Sequence, residues 1–397
     1  MAEIWTLAAL WLGLALAATL VSIWLRVATA LSEIVIGTIA QLLIGALVGT
    51  AALGADQVWV KFLSGTGAIV LTFLAGAELD PAVFRRKWKE ASAIGLISFF
   101  APFLGCAAAA RWLLGWSVEA SWLAGIAMST TSVAVVYAVM LEFGFNVTDY
   151  GKTVLAACFV TDLGTVVALG LVFAPFTLKT LLFIGVMAAA CLILPWLTPR
   201  FFRRYGGRPS ELEAKFLLLV LFGLGALAAW ADSEAVLPAY LMGMILAGTV
   251  GKDHALIRRL RTLCFGLLTP FYFIRAGSFV SVPALIAAPA AFLLMLTVKV
   301  VTKIIGVYPV TRAFRAPAKE GMYTTLLMST GLTFGTISAL FGLSHGIVDQ
   351  EQYSALVAAV VASAVVPTLI ANAWFMPRHL LPADKRAEAV PAATGGA

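Results

Sequence analysis

The stretch GKTVLAACFVTDLGTVVALGLVFAP, residues 151–175, carries one carboxylate, Asp162, near the middle of an apolar run. A charge at the centre of a bilayer costs about 2.5–3.5 kcal/mol or more, so such residues are rare and mark functional sites. We therefore expect the rest of the chain to hold Asp162 between two aqueous faces and to move it.

The composition indicates an integral membrane protein. Of 397 residues, 61% are hydrophobic and 12% are charged, whereas about 25% of residues in soluble domains are charged. The formal charge of +7 does not indicate a nucleic-acid partner, because the basic residues lie mainly in loops between apolar segments. The four cysteines lack zinc or disulfide spacing, and the sequence has no phosphate loop or catalytic set. We predict neither an enzyme nor a cofactor.

Thirteen apolar segments are candidates for membrane-spanning helices, which need about 20 residues. They cover residues 4–25, 31–53, 58–78, 91–114, 118–141, 151–175, 178–198, 210–231, 235–250, 257–279, 283–308, 319–343 and 350–376. This pattern predicts an all-α domain in the lipid bilayer over 1–377. We expect a short disordered tail over 378–397 and no nucleotide-binding regulatory domain.

The basic residues predict the topology. With thirteen spans, most of the 27 lysines and arginines fall in loops on one side, and only Lys61, Arg111 and Lys179 fall in loops on the other. The positive-inside rule makes the first side cytoplasmic. The N-terminus is then outside and the C-terminus is cytoplasmic, in what we expect to be a bacterial inner membrane.

The two halves of the chain share weak internal similarity. FLAGAELDP (73–81) ends the third segment and FYFIRAGSFVSVP (271–283) lies in the tenth; MSTTS (128–132) lies in the fifth and MSTGLTFG (328–335) in the twelfth. Such symmetry predicts two inverted six-helix repeats, joined by the helix over 178–198, with a transport site where they meet.

The polar run in the fifth segment has two interpretations. The hydroxyls of Thr130, Thr131 and Ser132 can satisfy backbone carbonyls of an intact helix. Alternatively, they mark an unwound helix, which is tolerated at membrane depth only where it lines a cavity or contacts protein. In that case the freed oxygens are ligands for an alkali cation, and residues 329–336 supply a second break.

Three cationic residues lie inside apolar segments. Lys299 and Lys303 share one helix face, and Lys303 either snorkels to the interface or pairs with Asp162 when no cation is bound. Arg275 needs a carboxylate, carbonyls or water around its permanent charge. Glu78, at the matching place in the third segment, is the candidate partner in a pair that is either structural or catalytic.

These motifs resemble those of the monovalent cation/proton antiporters, in the branch of bacterial sodium/proton antiporters and of the membrane domain of glutathione-gated (Kef-type) potassium efflux systems. TTSVAVVYAVMLEFGFNVTDYGKTVLAACFVTD (130–162) is the strongest match. FLAGAELDP, PFYFIRAGSFV (270–280), TKIIG (302–306) and MSTG (328–331) are similar too. The resemblance spans nearly the whole apolar region.

The resemblance implies a homodimer with two broken crossover helices. A transport core of about 91–175 and 283–376 would move against a dimerisation scaffold of about 4–78 and 178–279. Asp162 corresponds to the family's ion- and proton-binding aspartate, and Thr131 and Ser132 to crossover residues near the ion. Lys303, rather than Lys299, corresponds to the family lysine.

Three positions depart from the family pattern. Thr161 stands where relatives with a paired site have Asp or Asn, and Thr330-Gly331-Leu332 stands where many have Arg-Gly-Glu. Arg275 occupies a place where an apolar residue is expected. The first two departures remove charge, which leaves the stoichiometry and the choice of ion open.

We predict a secondary antiporter that exchanges a monovalent cation for H⁺ by elevator-like alternating access and serves pH homeostasis. The cation is Na⁺, with K⁺ or Li⁺ as alternatives, bound at Asp162 with oxygen ligands from Thr131, Ser132 and Thr161. Lys303 would be the counter-charge. A K⁺/H⁺ antiporter or K⁺ efflux protein is the alternative function, and a sodium-coupled organic-solute symporter is a third.

Overall fold

A computed structural model describes residues 2–25, 29–47, 49, 53–77, 81–145, 148–173, 177–231, 233, 235–251, 253–287 and 289–381. Every regular element in these residues is helical, as predicted. In chain order the helices are α1 (Ala2–Leu25), α2 (Thr29–Leu47), α3 (Val58–Ala77), α4 (Pro81–Trp112), α5 (Val118–Ser129), α6 (Val133–Glu142), α7 (Asp149–Phe173), α8 (Leu178–Tyr205), α9 (Leu212–Trp230), α10 (Val236–Leu246), α11 (His254–Leu263), α12 (Thr269–Ser278), α13 (Val282–Ala287), α14 (Pro289–Ala313), α15 (Ala318–Met328), α16 (Thr333–Ser344) and α17 (Gln350–Ile370).

Ten helical segments in the described residues are long and apolar enough to cross a membrane, against thirteen predicted. The other predicted segments hold shorter helices. Residues 118–141 are divided into α5 and α6, residues 235–250 contain the 11-residue α10, and residues 257–279 are divided among α11, a π-helical turn and α12. The helices are those of an integral membrane protein, while the count of thirteen spans stays a prediction.

The start of the predicted C-terminal tail is helical. Arg378–Leu380 forms a 3₁₀ turn, and His379 Nε2 lies 2.6 Å from Glu320 Oε1. The remainder of the tail, 382–397, lies outside the described residues.

The helices group into two compact units, each made of three stretches of chain. Unit one consists of Met1–Pro81, Val166–Pro289 and Ile337–Ala355. Unit two consists of Ala82–Thr165, Ala290–Thr336 and Leu356–Ala397. Unit two contains most of the predicted transport core, but residues 166–175, 283–289 and 337–355 belong to unit one. The motion of one body against another remains a prediction.

Small residues set the closest helix contact of unit one. A β-carbon on Gly37 of α2 would collide with the Ile274 carbonyl of α12, and one on Gly277 of α12 would collide with the Ile34 carbonyl of α2. Thr38 Oγ1 also donates a hydrogen bond to Gly277 O at 3.0 Å. Lipid provides no hydrophobic force between helices, so close backbone approach through glycine supplies the attraction.

In unit two, glycines bring α14 against α4. A β-carbon on Gly105 would lie 2.5 Å from Thr302 Cγ2, and one on Gly306 would lie 2.9 Å from Ala101 Cβ. Thr302 and Gly306 are on either side of Lys303 in the sequence of α14. These contacts therefore fix the lysine side chain against α4.

We expect Gly277→Ala to destabilise the protein by roughly 1–3 kcal/mol, the range for overpacking a close contact. The added methyl group would push α12 away from the α2 backbone. The measurement is the midpoint of thermal unfolding in detergent. Gly223→Ala in α9 is the control, because nothing lies within 4 Å of its β-carbon position. An unchanged midpoint for Gly277→Ala would contradict the close α2–α12 contact.

Candidate functional site

The fifth predicted segment is interrupted within the apolar region. α5 ends at Ser129, Thr130 has an extended backbone (φ −63°, ψ 153°), and α6 begins at Val133. Thr130 and Thr131 are 1% exposed, and Ser132 is 2% exposed. Of the two interpretations of this run, the structure has the unwound one.

A second break lies against the first. α15 ends at Met328 and α16 begins at Thr333. Ser132 N donates to Thr330 O at 3.0 Å, and Thr131 Oγ1 donates to Met328 O at 2.8 Å. Each unwound stretch therefore supplies hydrogen-bond partners that the other would lack. This reciprocity is required at membrane depth, where water is not available to satisfy the backbone.

Lys303 joins α14 to the first break. Its Nζ donates to Ser98 Oγ at 2.6 Å, to Ser129 O at 3.1 Å and to Thr131 Oγ1 at 3.0 Å. Ser129 ends α5, so its carbonyl belongs to the negative end of the helix dipole, where a cation is favoured. The side chain is fully buried. The snorkelling interpretation of Lys303 is therefore wrong.

Asp162 is buried in α7, with 1% of its surface exposed. Its Oδ1 atom has no hydrogen-bond partner among the described residues. Lys303 is the charged group that acts on the carboxylate, but its amine is bonded to the three oxygens named above and not to Oδ1. The structure thus buries both Lys303 and Asp162 without a direct bond from the amine to Oδ1.

The other predicted ligands have differing roles. Thr161 Oγ1 donates to Gly95 O of α4 at 3.1 Å, and Ser132 Oγ accepts a hydrogen bond from Val135 N at 3.3 Å at the start of α6. Of the three predicted hydroxyls, Thr131 is the one bonded to Lys303. The two others hold the helices that frame the site.

Arg275 has partners in the loop between α2 and α3. Its Nε donates to Ala55 O at 2.8 Å, and its Nη2 lies 3.8 Å from Asp56 Oδ1. The guanidinium also lies over the Phe279 ring at 4.9 Å. Glu78, its predicted partner, lies outside the described residues. The observed contacts favour the structural role over the catalytic one.

Sequence reasoning missed Ser98 and left Lys299 without a role. A single hydroxyl in an apolar helix usually bonds to its own backbone, so nothing in the sequence singles out Ser98. Lys299 is fully buried, and its Nζ has no hydrogen-bond partner among the described residues. Its position one turn from Lys303 was the available signal.

The sequence profile of the family described as "Sodium/hydrogen exchanger, transmembrane" matches residues 12–376. The chain belongs to this family. The family resemblance inferred from the sequence motifs is thereby confirmed.

Two relatives are similar over most of their length, and a third over about half of it. A probable Na⁺/H⁺ antiporter 3 of Methanocaldococcus jannaschii is 24% identical over 351 residues, which cover 84% of this chain and 88% of that protein. A Na⁺/H⁺ antiporter of Enterococcus hirae is 25% identical, covering 84% of this chain and 90% of that protein. The glutathione-regulated potassium-efflux protein KefC of Salmonella heidelberg is 26% identical over 75% of this chain, and the match spans only 49% of KefC.

The fold is similar to that of a solved antiporter. The structure of the sodium proton antiporter MjNhaP1 from Methanocaldococcus jannaschii matches with a TM-score of 0.71, covering 94% of this chain and 96% of that chain. The sequence identity is 16%, so this likeness concerns the fold alone.

We expect Thr131→Val to destabilise the protein by about 1–3 kcal/mol, because Lys303 loses an acceptor and the Met328 carbonyl loses a donor in a buried place. The midpoint of thermal unfolding in detergent measures the effect. Thr302→Val is the matched control, since the Thr302 hydroxyl bonds only to carbonyls of its own helix, at 2.7 and 3.0 Å. Equal midpoints for the two variants would contradict the bridging role of Thr131.

Proposed function

We propose that the chain is a secondary antiporter that exchanges Na⁺ for H⁺ at Asp162. Membership of the sodium/hydrogen exchanger family supports cation/proton exchange, and one observation supports the residue. The Oδ1 atom of Asp162 is buried without a hydrogen-bond partner among the described residues. A buried carboxylate oxygen in this condition is costly, and either a proton or a cation would relieve the cost.

The exchange follows from competition for one carboxylate. A proton and a sodium ion each neutralise Asp162, and the two cannot occupy the same oxygen lone pair. Lys303 offsets the charge of the empty carboxylate, but the Oδ1 atom of Asp162 then lacks a partner among the described residues, and this unsatisfied oxygen makes the empty site resist crossing the apolar barrier. Only the loaded site would move, so each cation carried one way requires a proton carried the other way.

The cation would be held by Asp162 together with oxygens of Thr131, Ser132 and Thr161. No group of three His, Cys, Asp or Glu side chains that could hold a metal occurs in the described part of the chain, and an alkali ion needs only hard oxygen ligands. The Thr131 hydroxyl is bonded to Lys303 and Met328. Thr131 would therefore contribute its backbone carbonyl.

The proposal includes the finer architecture expected from the sequence. In this proposal the chain spans the membrane thirteen times in two inverted repeats, with its N-terminus outside. A core moves against a scaffold in an elevator-like way, and two chains form a homodimer in a bacterial inner membrane. The pair of broken segments, α5–α6 in the first half of the chain and α15–α16 in the second, supports the repeat. In this scheme Lys303 balances the charge of the unloaded Asp162.

Potassium is the alternative cation. The similarity to the potassium-efflux protein KefC, at 26% identity, favours it to the extent that the cation site is shared. The same carboxylate would then bind a larger ion, and the exchange would otherwise be unchanged.

Asp162→Asn should insert and fold but lose cation-dependent proton flux in proteoliposomes, down to the level of empty liposomes. The amide can bind neither H⁺ nor Na⁺ as the carboxylate does. A pH-sensitive dye inside the liposomes reports the flux after a Na⁺ jump. Asp149→Asn is the control, because Asp149 begins the same helix but is 67% exposed and pairs with Arg86. Exchange by Asp162→Asn at the wild-type rate would refute the site.

Titration with Na⁺, Li⁺ and K⁺ at constant ionic strength, in the same liposomes, identifies the cation. We expect proton flux with Na⁺ in the absence of any organic solute, and little flux with K⁺. Flux driven mainly by K⁺ would establish the alternative. A requirement for an added solute would instead indicate a symporter.

A further inference from the structure

Lys299 and Lys303 are one turn apart on α14, but their amines differ in hydrogen bonding. Both side chains are fully buried. Lys303 Nζ donates to three oxygens, of Ser98, Ser129 and Thr131. Lys299 Nζ has no hydrogen-bond partner among the described residues.

This difference bears on which lysine keeps its proton. A lysine ammonium has three N–H donors and no acceptor, and Lys303 has one acceptor for each donor. One of these acceptors is the terminal carbonyl of α5, where the helix dipole favours a positive charge. A buried ammonium without acceptors is strongly disfavoured. The surroundings thus suit a fixed charge on Lys303 and an uncharged amine on Lys299.

The space around Lys299 Nζ is made by a glycine of the second break. A β-carbon on Gly331 would collide with Nζ, and would lie 2.8 Å from Thr130 Oγ1 and 3.2 Å from Ser363 Oγ. Each of these hydroxyls donates its hydrogen to a carbonyl of its own chain segment, at 3.2 Å for Thr130 and 2.7 Å for Ser363. Their lone pairs remain available as acceptors for an amine beside Gly331 that gains a proton.

The charge on Lys299 is linked to the exchange site through its neighbours. Two titratable groups interact electrostatically with Lys299 where α14 packs against α4. They are Lys303, one turn away on α14, and Cys106 of α4. The residues that border Nζ from the two breaks and from α17, namely Thr130, Gly331 and Ser363, do not titrate. A proton on Lys299 therefore adds a second positive charge beside Lys303. A cation bound at Asp162 would oppose that charge.

We propose that Lys299, rather than Lys303, is a second proton-carrying group of the exchange cycle. This inference rests on the proposed antiport at Asp162. Cation binding would release one proton from Asp162 and one from the Lys299 ammonium to the aqueous side from which the cation enters. After the cation leaves on the other side, both groups regain protons there. Two protons then cross for each monovalent cation, and the exchange moves net charge.

The test is the coupling ratio of Lys299→Met in proteoliposomes, from the membrane potential at which net flux reverses under fixed ion gradients. We expect two protons per cation for the wild type and one for Lys299→Met. Lys303→Gln is the matched control, and any exchange it retains should keep the ratio of two. Lys299→Gln replaces Lys299→Met if the latter does not fold.

A second measurement does not require transport. Adding NaCl to purified protein in weak buffer with a pH dye should release up to two protons per chain from the wild type and one from Lys299→Met. Absence of cation-driven flux in the wild type would contradict the proposed function itself. A wild-type ratio of one, a ratio of two in Lys299→Met, or a fall to one in Lys303→Gln would contradict only the role of Lys299.

Discussion

Three hydrogen bonds from Lys303 hold together the place where α5 is broken. They join the amine to Ser98 Oγ, Ser129 O and Thr131 Oγ1. The Ser129 carbonyl lies at the broken end of the helix, in a region where lipid cannot supply a partner. The lysine lets the chain unwind there at low cost. Without Lys303, the first break would leave polar groups unsatisfied, and its contact with the second break would be weakened.

The same hydrogen bonds explain why the Lys303 amine does not donate to Asp162 Oδ1. Because the amine of Lys303 is bonded to other oxygens, the nearby carboxylate has a compensating charge but no donor at Oδ1. A direct ion pair would satisfy the carboxylate and lower its affinity for any other ligand. In the observed arrangement Lys303 acts on the carboxylate electrostatically, while one carboxylate oxygen stays open. Under the proposed exchange, this open oxygen would accept and release the ligand.

The sequence predicted the elements better than their contacts. Apolar length predicted helices along the chain, although 118–141 and 257–279 are each divided, and the hydroxyl run at 130–132 indicated the break. The isolated carboxylate singled out Asp162, whose role stays a prediction. Thr161 bonds to α4 and Ser98 accepts from Lys303 because of glycines that bring separate helices together. Helix periodicity gives the face on which a residue lies, but not the group presented by the neighbouring helix. For that reason helix periodicity alone could not distinguish Lys299 from Lys303, and only the family resemblance singled out Lys303 before the structure showed their different partners.

The contact between the two unwound stretches also bears on how the protein is made. The bond from Lys303 to Ser98 joins residues 205 apart in sequence, and that from Thr131 to Met328 joins residues 197 apart. During synthesis, α4 and α5 enter the membrane long before α14 and α15. Until those helices arrive, the unwound stretch after α5 lacks the partners that make it tolerable in hydrocarbon. The contact between the two unwound stretches therefore forms late in membrane insertion, after the second half of the chain has arrived.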